Sequence, residues 1–212
     1  MLNNFLNTGA MSARDYEKSA GGLTEKMGYF AVIDTETNWN NEVMSIGIAI
    51  ADDKTFKKID DLYYVFNPEY KVGGMFSMVL AVKGRNAKDC VTSRKTALER
   101  IKSSFAKYQI TQLYAYNASF DKNLLPELSE YVWFDIMRIA AYRQYNDKIP
   151  ANVECCKTGK MKRDYGVEPM MQLLSGNRRY MEVHNALIDA VDELEIMRLL
   201  GKELCLYSIA KL

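Results

Sequence analysis

Asp34 and Glu36 stand on either side of Thr35, just after the apolar, β-branched run Tyr29-Phe-Ala-Val-Ile33. In an extended chain a period of two sends both carboxylates to one side, where together they can grip a divalent cation. Alone the pair is a weak signal, because acids at a strand end are commonly solvated turn residues. The run that presents them strengthens it, since two unpaired carboxylates beside a core are costly without a metal or a proton. Asp121, in Asn117-Ala-Ser-Phe-Asp121, falls in the first turn of a helix that Asn117 or Ser119 can cap, and the helix dipole favours an acid there whatever its role. His184, the only histidine, precedes Asp189 by five residues. Two helical residues at that spacing point about 140° apart, so the pair shares a site more easily if His184 lies before the helix.

The elements that must position these groups follow from pattern. Tyr29 to Ile33 reads as a buried central strand closing on Asp34, Val43 to Ala51 as a second strand, and Leu62 to Phe66 as a third, joined by short turns into an antiparallel meander. Asn67 to Asp89, with Pro68, Gly73, Gly74 and Gly84, reads as a long irregular connection of the kind that shapes a binding site. Thr92 or Ser93 can cap a helix running to about Lys107, and Gln112 to Tyr116 makes a fourth strand. Phe120 to Tyr131 is helical by pattern, with Pro126 shortening or kinking it, and Val132 to Phe134 is a fifth strand closing on Asp135. Helical stretches are expected over Ile136 to Tyr145, Val153 to Tyr165 and Asn185 to Leu200. The fold class is α/β: one domain with a mixed five-stranded sheet flanked by helices. On the last helix Asp189 sits beside an apolar stripe, while Asp192 and Glu193 are assigned to the solvated face.

Composition narrows the partners. The 212 residues suit one sizeable core, and 28 Lys and Arg against 27 Asp and Glu give no general attraction to polyphosphate. Nucleic-acid contact must then come from local basic patches, for which Lys83, Arg85, Lys157, Lys160, Lys162, Arg163, Arg178 and Arg179 are the candidates. Cys90, Cys155, Cys156 and Cys205 form no metal or disulfide pattern and read as reduced thiols of a cytoplasmic protein, the adjacent pair as buried or half-buried helix residues. No apolar run reaches the ~18 residues of a membrane span. Residues 1–26 read as a flexible extension and 27–212 as the domain.

Taken together, Asp34-Thr-Glu36, Asn117-x-x-Phe-Asp121 and His184-x4-Asp189 resemble, in order and approximate spacing, the motifs of the DEDDh 3′-to-5′ exonucleases, the family of polymerase proofreading subunits and ribonuclease T. The match spans about Tyr29 to Leu200, with lesser similarities at Asp135-x-x-Arg138 and Tyr165-Gly-Val167. The resemblance implies a ribonuclease H-like fold and metal-dependent release of nucleoside 5′-monophosphates from single-stranded DNA or RNA 3′ ends. It implies Asp34, Glu36 and Asp189 as direct ligands, Asp121 as a ligand through water, and His184 as general base. Four carboxylates of this kind can hold two Mg²⁺ or Mn²⁺ ions about 3.5 to 4 Å apart, and a histidine can take a water's proton near neutral pH. Thr35, Thr37, Trp39, Asn117 and Phe120 are candidates to touch substrate: Trp39 could stack on a base, whereas for Phe120 and Met44 a core position is the expectation. Many relatives continue the first motif as Thr-Thr-Gly, and the Thr37-Asn38-Trp39 found here bears on the pocket for the terminal nucleotide rather than on the ligands.

Two other readings use the same residues. One is a nucleic-acid or partner-binding adaptor in which catalysis is secondary; the other is a phosphodiesterase of very short oligonucleotides. Relatives also occur as homodimers or in association with a polymerase.

Overall fold

The computed structural model describes residues 28–80 and 90–212, so the expected extension at 1–26 and the basic candidates Lys83 and Arg85 lie outside the described residues. Strands β1 (Tyr29–Thr37), β2 (Val43–Asp52) and β3 (Lys58–Phe66) form the antiparallel meander. The two-residue β4 (Val91–Thr92) pairs with β3. Helix α1 (Arg94–Tyr108) leads to β5 (Gln112–Ala115), then come α2 (Ser119–Leu124), β6 (Val132–Asp135), α3 (Met137–Ala140), α4 (Val167–Ser175) and α5 (Ala186–Leu200). The strand order is β4-β3-β2-β1-β5-β6, with β1, β5 and β6 mutually parallel, so the carboxyl ends of these three lie along one edge of the sheet.

Alternation along β1 builds both layers of the core. Ala31 and Ile33 face α1, where Ala97, Leu98, Ile101 and Phe105 are buried against them. Phe30 and Val32 face the opposite side, packed with Met170 of α4 and Leu194 and Met197 of α5. Asp34 and Glu36 continue the second set, so the sheet's own period aims both at the α5 side.

Several expectations are corrected. Among the described residues the sheet has six strands rather than five, the additional β4 being too short to carry an alternation signal. β1 runs on to Thr37 and β3 begins at Lys58, so the two acids sit within a strand rather than after one. Pro126 ends α2 early and opens a separate turn of 3-10 helix, Pro126–Leu128. The helix expected over Ile136 to Tyr145 shrinks to α3. Val153 to Tyr165 is a turn-rich hairpin: Gly159 has φ +85° and Asp164 φ +58°, and the Arg143 guanidinium donates to the carbonyls of Pro150, Ala151 and Val153. Cys155 is half-buried and Cys156 exposed on that hairpin, not on a helix. Helix α4 was not expected, although Val167, Met170, Met171 and Leu174 have helical core spacing between Gly166 and Gly176.

Candidate active site

The site forms where the ends of β1 and β5 meet the start of α5. Asn185 caps α5, its side-chain oxygen accepting from the amides of Leu187 and Ile188 while its nitrogen donates to the Val79 carbonyl at 2.6 Å. His184 therefore precedes the helix, at φ +59°, and Asp189 points inward from its first turn. The approach of helix to sheet is tight enough to require glycine: a Cβ on Gly47 of β2 would lie 2.1 Å from the Ala186 carbonyl oxygen.

Ligand atoms of Glu36, His184 and Asp189 all lie within 4.8 Å of one another. Asp34 is packed against this group, and burial together with the charges of Glu193, Asp121, Asp189 and Glu36 holds its carboxyl well above the usual range. Thr35 Oγ1 donates to Asp121 Oδ1 at 2.7 Å, tying α2 to β1. Desolvation and neighbouring acids push Glu36 up to about 8, and Asp189 to about 7 even though the amides of His184 and Asn185 pull the other way. Burial likewise raises Asp121 against the opposing hydrogen bond from Thr35. The five expected residues are thus brought together.

Two buried oxygens, Asp34 Oδ2 and Asp189 Oδ1, have no hydrogen-bond partner. None of the ion pairs among the described residues involves Asp34, Glu36, Asp121, Asp189 or Glu193. Orphaned carboxylate oxygens converging without a cationic side chain fit a divalent cation, which both neutralises them and accepts their lone pairs.

Glu193 corrects the sequence reading most. It is 2% exposed, and its Oε2 accepts the Tyr116 amide at 2.9 Å. The next amide, Asn117, donates to Asp135 Oδ1 at 3.0 Å, as does Met137. Two carboxylates, from α5 and β6, thus clamp consecutive amides of the turn leading to Asp121, with Asn117 itself at φ +61°. The available signal was Glu193's place one turn beyond Asp189 on the same helix face. Asp192 is half-buried and accepts from the Tyr180 hydroxyl at 2.6 Å rather than facing only solvent.

Beside the carboxylates lie the half-buried Glu182, whose charge adds to the rise of Glu36 and Asp189, and several aromatic rings. Phe76 stacks on His184 with ring centroids 4.0 Å apart and planes 18° from parallel. Trp39 is 67% exposed, its backbone amide donating to the Gly73 carbonyl. Phe120 is 43% exposed, against the expected core position, whereas Met44 is fully buried as expected. Thr37 is half-buried at the end of β1. Phe76 had no motif to announce it.

No family model and no curated protein sequence matches the chain. Solved structures do match. The nuclease domain of 3′hExo, a DEDDh family member bound to rAMP, is 16% identical with a TM-score of 0.57, over 85% of this chain and 95% of that one. A 3′-exonuclease in 3′-end-specific recognition of a histone mRNA stem-loop is 15% identical with a TM-score of 0.58, over 90% and 72%. E. coli exonuclease I with a 5cy-dT13 oligonucleotide is 14% identical with a TM-score of 0.60, over 87% of this chain but 43% of that one. At such identities the likeness is one of architecture, and the chain has the mixed-sheet, ribonuclease H-like α/β fold of these exonucleases.

Proposed function

We propose that the domain, residues 27–212, is a metal-dependent 3′-to-5′ exonuclease that removes nucleoside 5′-monophosphates from single-stranded DNA or RNA. The observation that carries this reading is the convergence of Asp34, Glu36, Asp121 and Asp189 with His184, two of their buried oxygens lacking any partner. Asp34, Glu36 and Asp189 would hold Mg²⁺ or Mn²⁺, with Asp121 contributing through water. Bound cations would supply positive charge to the scissile phosphate and to its attacking and leaving oxygens. His184 takes the proton of the attacking water, and the Phe76 stack fixes the imidazole plane for that transfer. Thr35 orients Asp121, and Glu193 and Asp135 hold the turn from which α2 starts. Trp39 and Phe120 offer exposed rings beside Thr37 and Asn117, where the terminal base can stack.

The fold likeness to exonucleases bound to rAMP and to oligonucleotides supports the substrate class. The free thiols of Cys155, Cys156 and Cys205 support a cytoplasmic setting; no helix among the described residues is long and apolar enough to cross a membrane. A homodimer and a polymerase complex are the assemblies to look for, by sedimentation. The deciding experiment is a time course on 5′-labelled single-stranded DNA and RNA with Mg²⁺, Mn²⁺ or chelator, beside Asp34→Ala. A metal-dependent ladder shortening from the 3′ end, lost in the variant, is expected; internal cuts in a circular single strand without mononucleotide release would refute the reading.

A further inference from the structure

Residues 136–180 contain nine Lys and Arg against four Asp and Glu, whereas the whole chain has a net charge of +1. The rest of the chain is therefore net acidic, and a site lined by carboxylates must still receive a polyanion. Metal ions can neutralise the scissile phosphate but not the phosphates trailing behind it.

The basic segment is an ordered platform beside the site. The Arg143 guanidinium pins its base through three carbonyls, and the Met161 amide donates to the Ala141 carbonyl at 2.9 Å. The Tyr116 hydroxyl, at the carboxyl end of β5, donates to the Tyr165 carbonyl at 2.6 Å, and Lys160 Nζ lies 4.2 Å above the Tyr165 ring. At the same end of α4, the Glu182 amide donates to Glu168 just before His184. Between the hairpin and α4 lies a groove of ≈ 570 Å³. Val153, Met161 and Arg163 form one wall, Pro169, Gln172 and Leu173 the other, and Arg178 adds to the lining. Glu154 and Asp164 also line it, their pairs with Lys162 and Arg163 being long at 3.4 and 3.9 Å between exposed side chains. Such pairs are worth little and yield readily to a phosphate. No ion pair among the described residues involves Lys157, Arg178 or Arg179.

From this arrangement we infer that the groove between the 153–165 hairpin and α4 is the track for the trailing single strand, with Arg163 and Arg178 on its lining, and Lys162 beside it at the Glu154 carboxylate, neutralising its phosphates. The inference rests on the exonuclease reading for the direction of the strand and makes the substrate a chain of several nucleotides rather than a dinucleotide. Its apolar walls, Val153, Met161, Pro169 and Leu173, give the faces of bases a contact surface that does not depend on sequence.

The test combines Lys162→Gln, Arg163→Gln and Arg178→Gln, all at exposed positions. Binding of fluorescent oligo(dT) and oligo(U) dodecanucleotides is followed by anisotropy across a salt series, and hydrolysis of the same strands is compared with that of dinucleotides. The triple variant should bind the longer strands at least about tenfold more weakly, with the salt slope reduced by about 0.7 per cation removed. Its dinucleotide turnover should be unchanged. Dodecanucleotide binding equal to that of the wild type, or no binding by either protein, overturns the track, as does an equal loss on both substrate lengths. Strand binding that depends on the three cations, in a wild-type protein that hydrolyses nothing, would leave the track standing and sink the exonuclease reading instead.

Discussion

Two regions of this molecule reach the site by different means. Where β1, β2 and α5 meet, position is set by backbone in regular elements: the strand period aims Asp34 and Glu36 to one side, and α5 approaches so closely that Gly47 has no room for a Cβ. The lobe formed by residues 136–184 has only the short α3 and α4, and its hairpin is held by a few main-chain hydrogen bonds together with the Arg143 and Gln144 side chains reaching carbonyls. The difference suits the two tasks proposed for them. Phosphoryl chemistry tolerates only sub-ångström error and needs rigid supports, whereas a surface that carries a strand in many sequences needs charge more than precision.

The comparison is broken most severely at Gly47. Gly47→Ala places a methyl against the Ala186 backbone and should cost about 3 kcal/mol or more by chemical denaturation, with activity falling alongside. Arg143→Ala, which removes three hydrogen bonds from the lobe, should cost about 1.5–3 kcal/mol yet leave dinucleotide turnover within about twofold. If the two variants lose activity equally, the division of labour is wrong.

Removing metal sharpens the contrast through pH. A carboxyl whose folded pKa lies above its unfolded value contributes stability that is present below the unfolded pKa and lost as pH rises through the folded one. Glu36, ordinarily near 4.5 and here about 8, together with the other raised carboxyls, should make the chelated protein less stable at pH 8 than at pH 5.5. Added Mn²⁺ should restore the melting temperature at pH 8, and Glu36→Gln should flatten the metal-free profile. A chelated profile that rises over this window would mean that these acids are not forced together.

The smallest effect concerns Glu193. Glu193→Gln keeps an oxygen for the Tyr116 amide and should change stability by less than about 1 kcal/mol with turnover largely preserved, whereas Glu193→Ala orphans that amide at about 1–3 kcal/mol and should lower kcat more than it raises KM. Failure of the glutamine to rescue would show that the charge of Glu193, rather than its hydrogen bond, matters.

Sequence by itself determined the parts governed by short-range periodicity. The run before Asp34, the meander, the capped helix after Ser93 and the last helix after Asn185 were all legible, because strand and helix periods and caps are local properties. Three ordered motifs likewise named Asp34, Glu36, Asp121, His184 and Asp189, and the chain does gather them. Only tertiary structure decided the rest. Glu193 reads as a surface acid until the β5 turn is laid against its helix, 77 residues away in sequence. Phe76 meets His184 only because the segment after β3 folds back over the start of α5. The apolar spacing over 153–165 permits a helix, but the segment closes instead through main-chain hydrogen bonds from Cys156 to Lys160, from Lys162 to Glu154 and from Met161 to Ala141, with the Arg143 guanidinium on the Val153 carbonyl. A hydrogen bond between remote residues leaves no period in the chain, so no reading of spacing alone could have placed it.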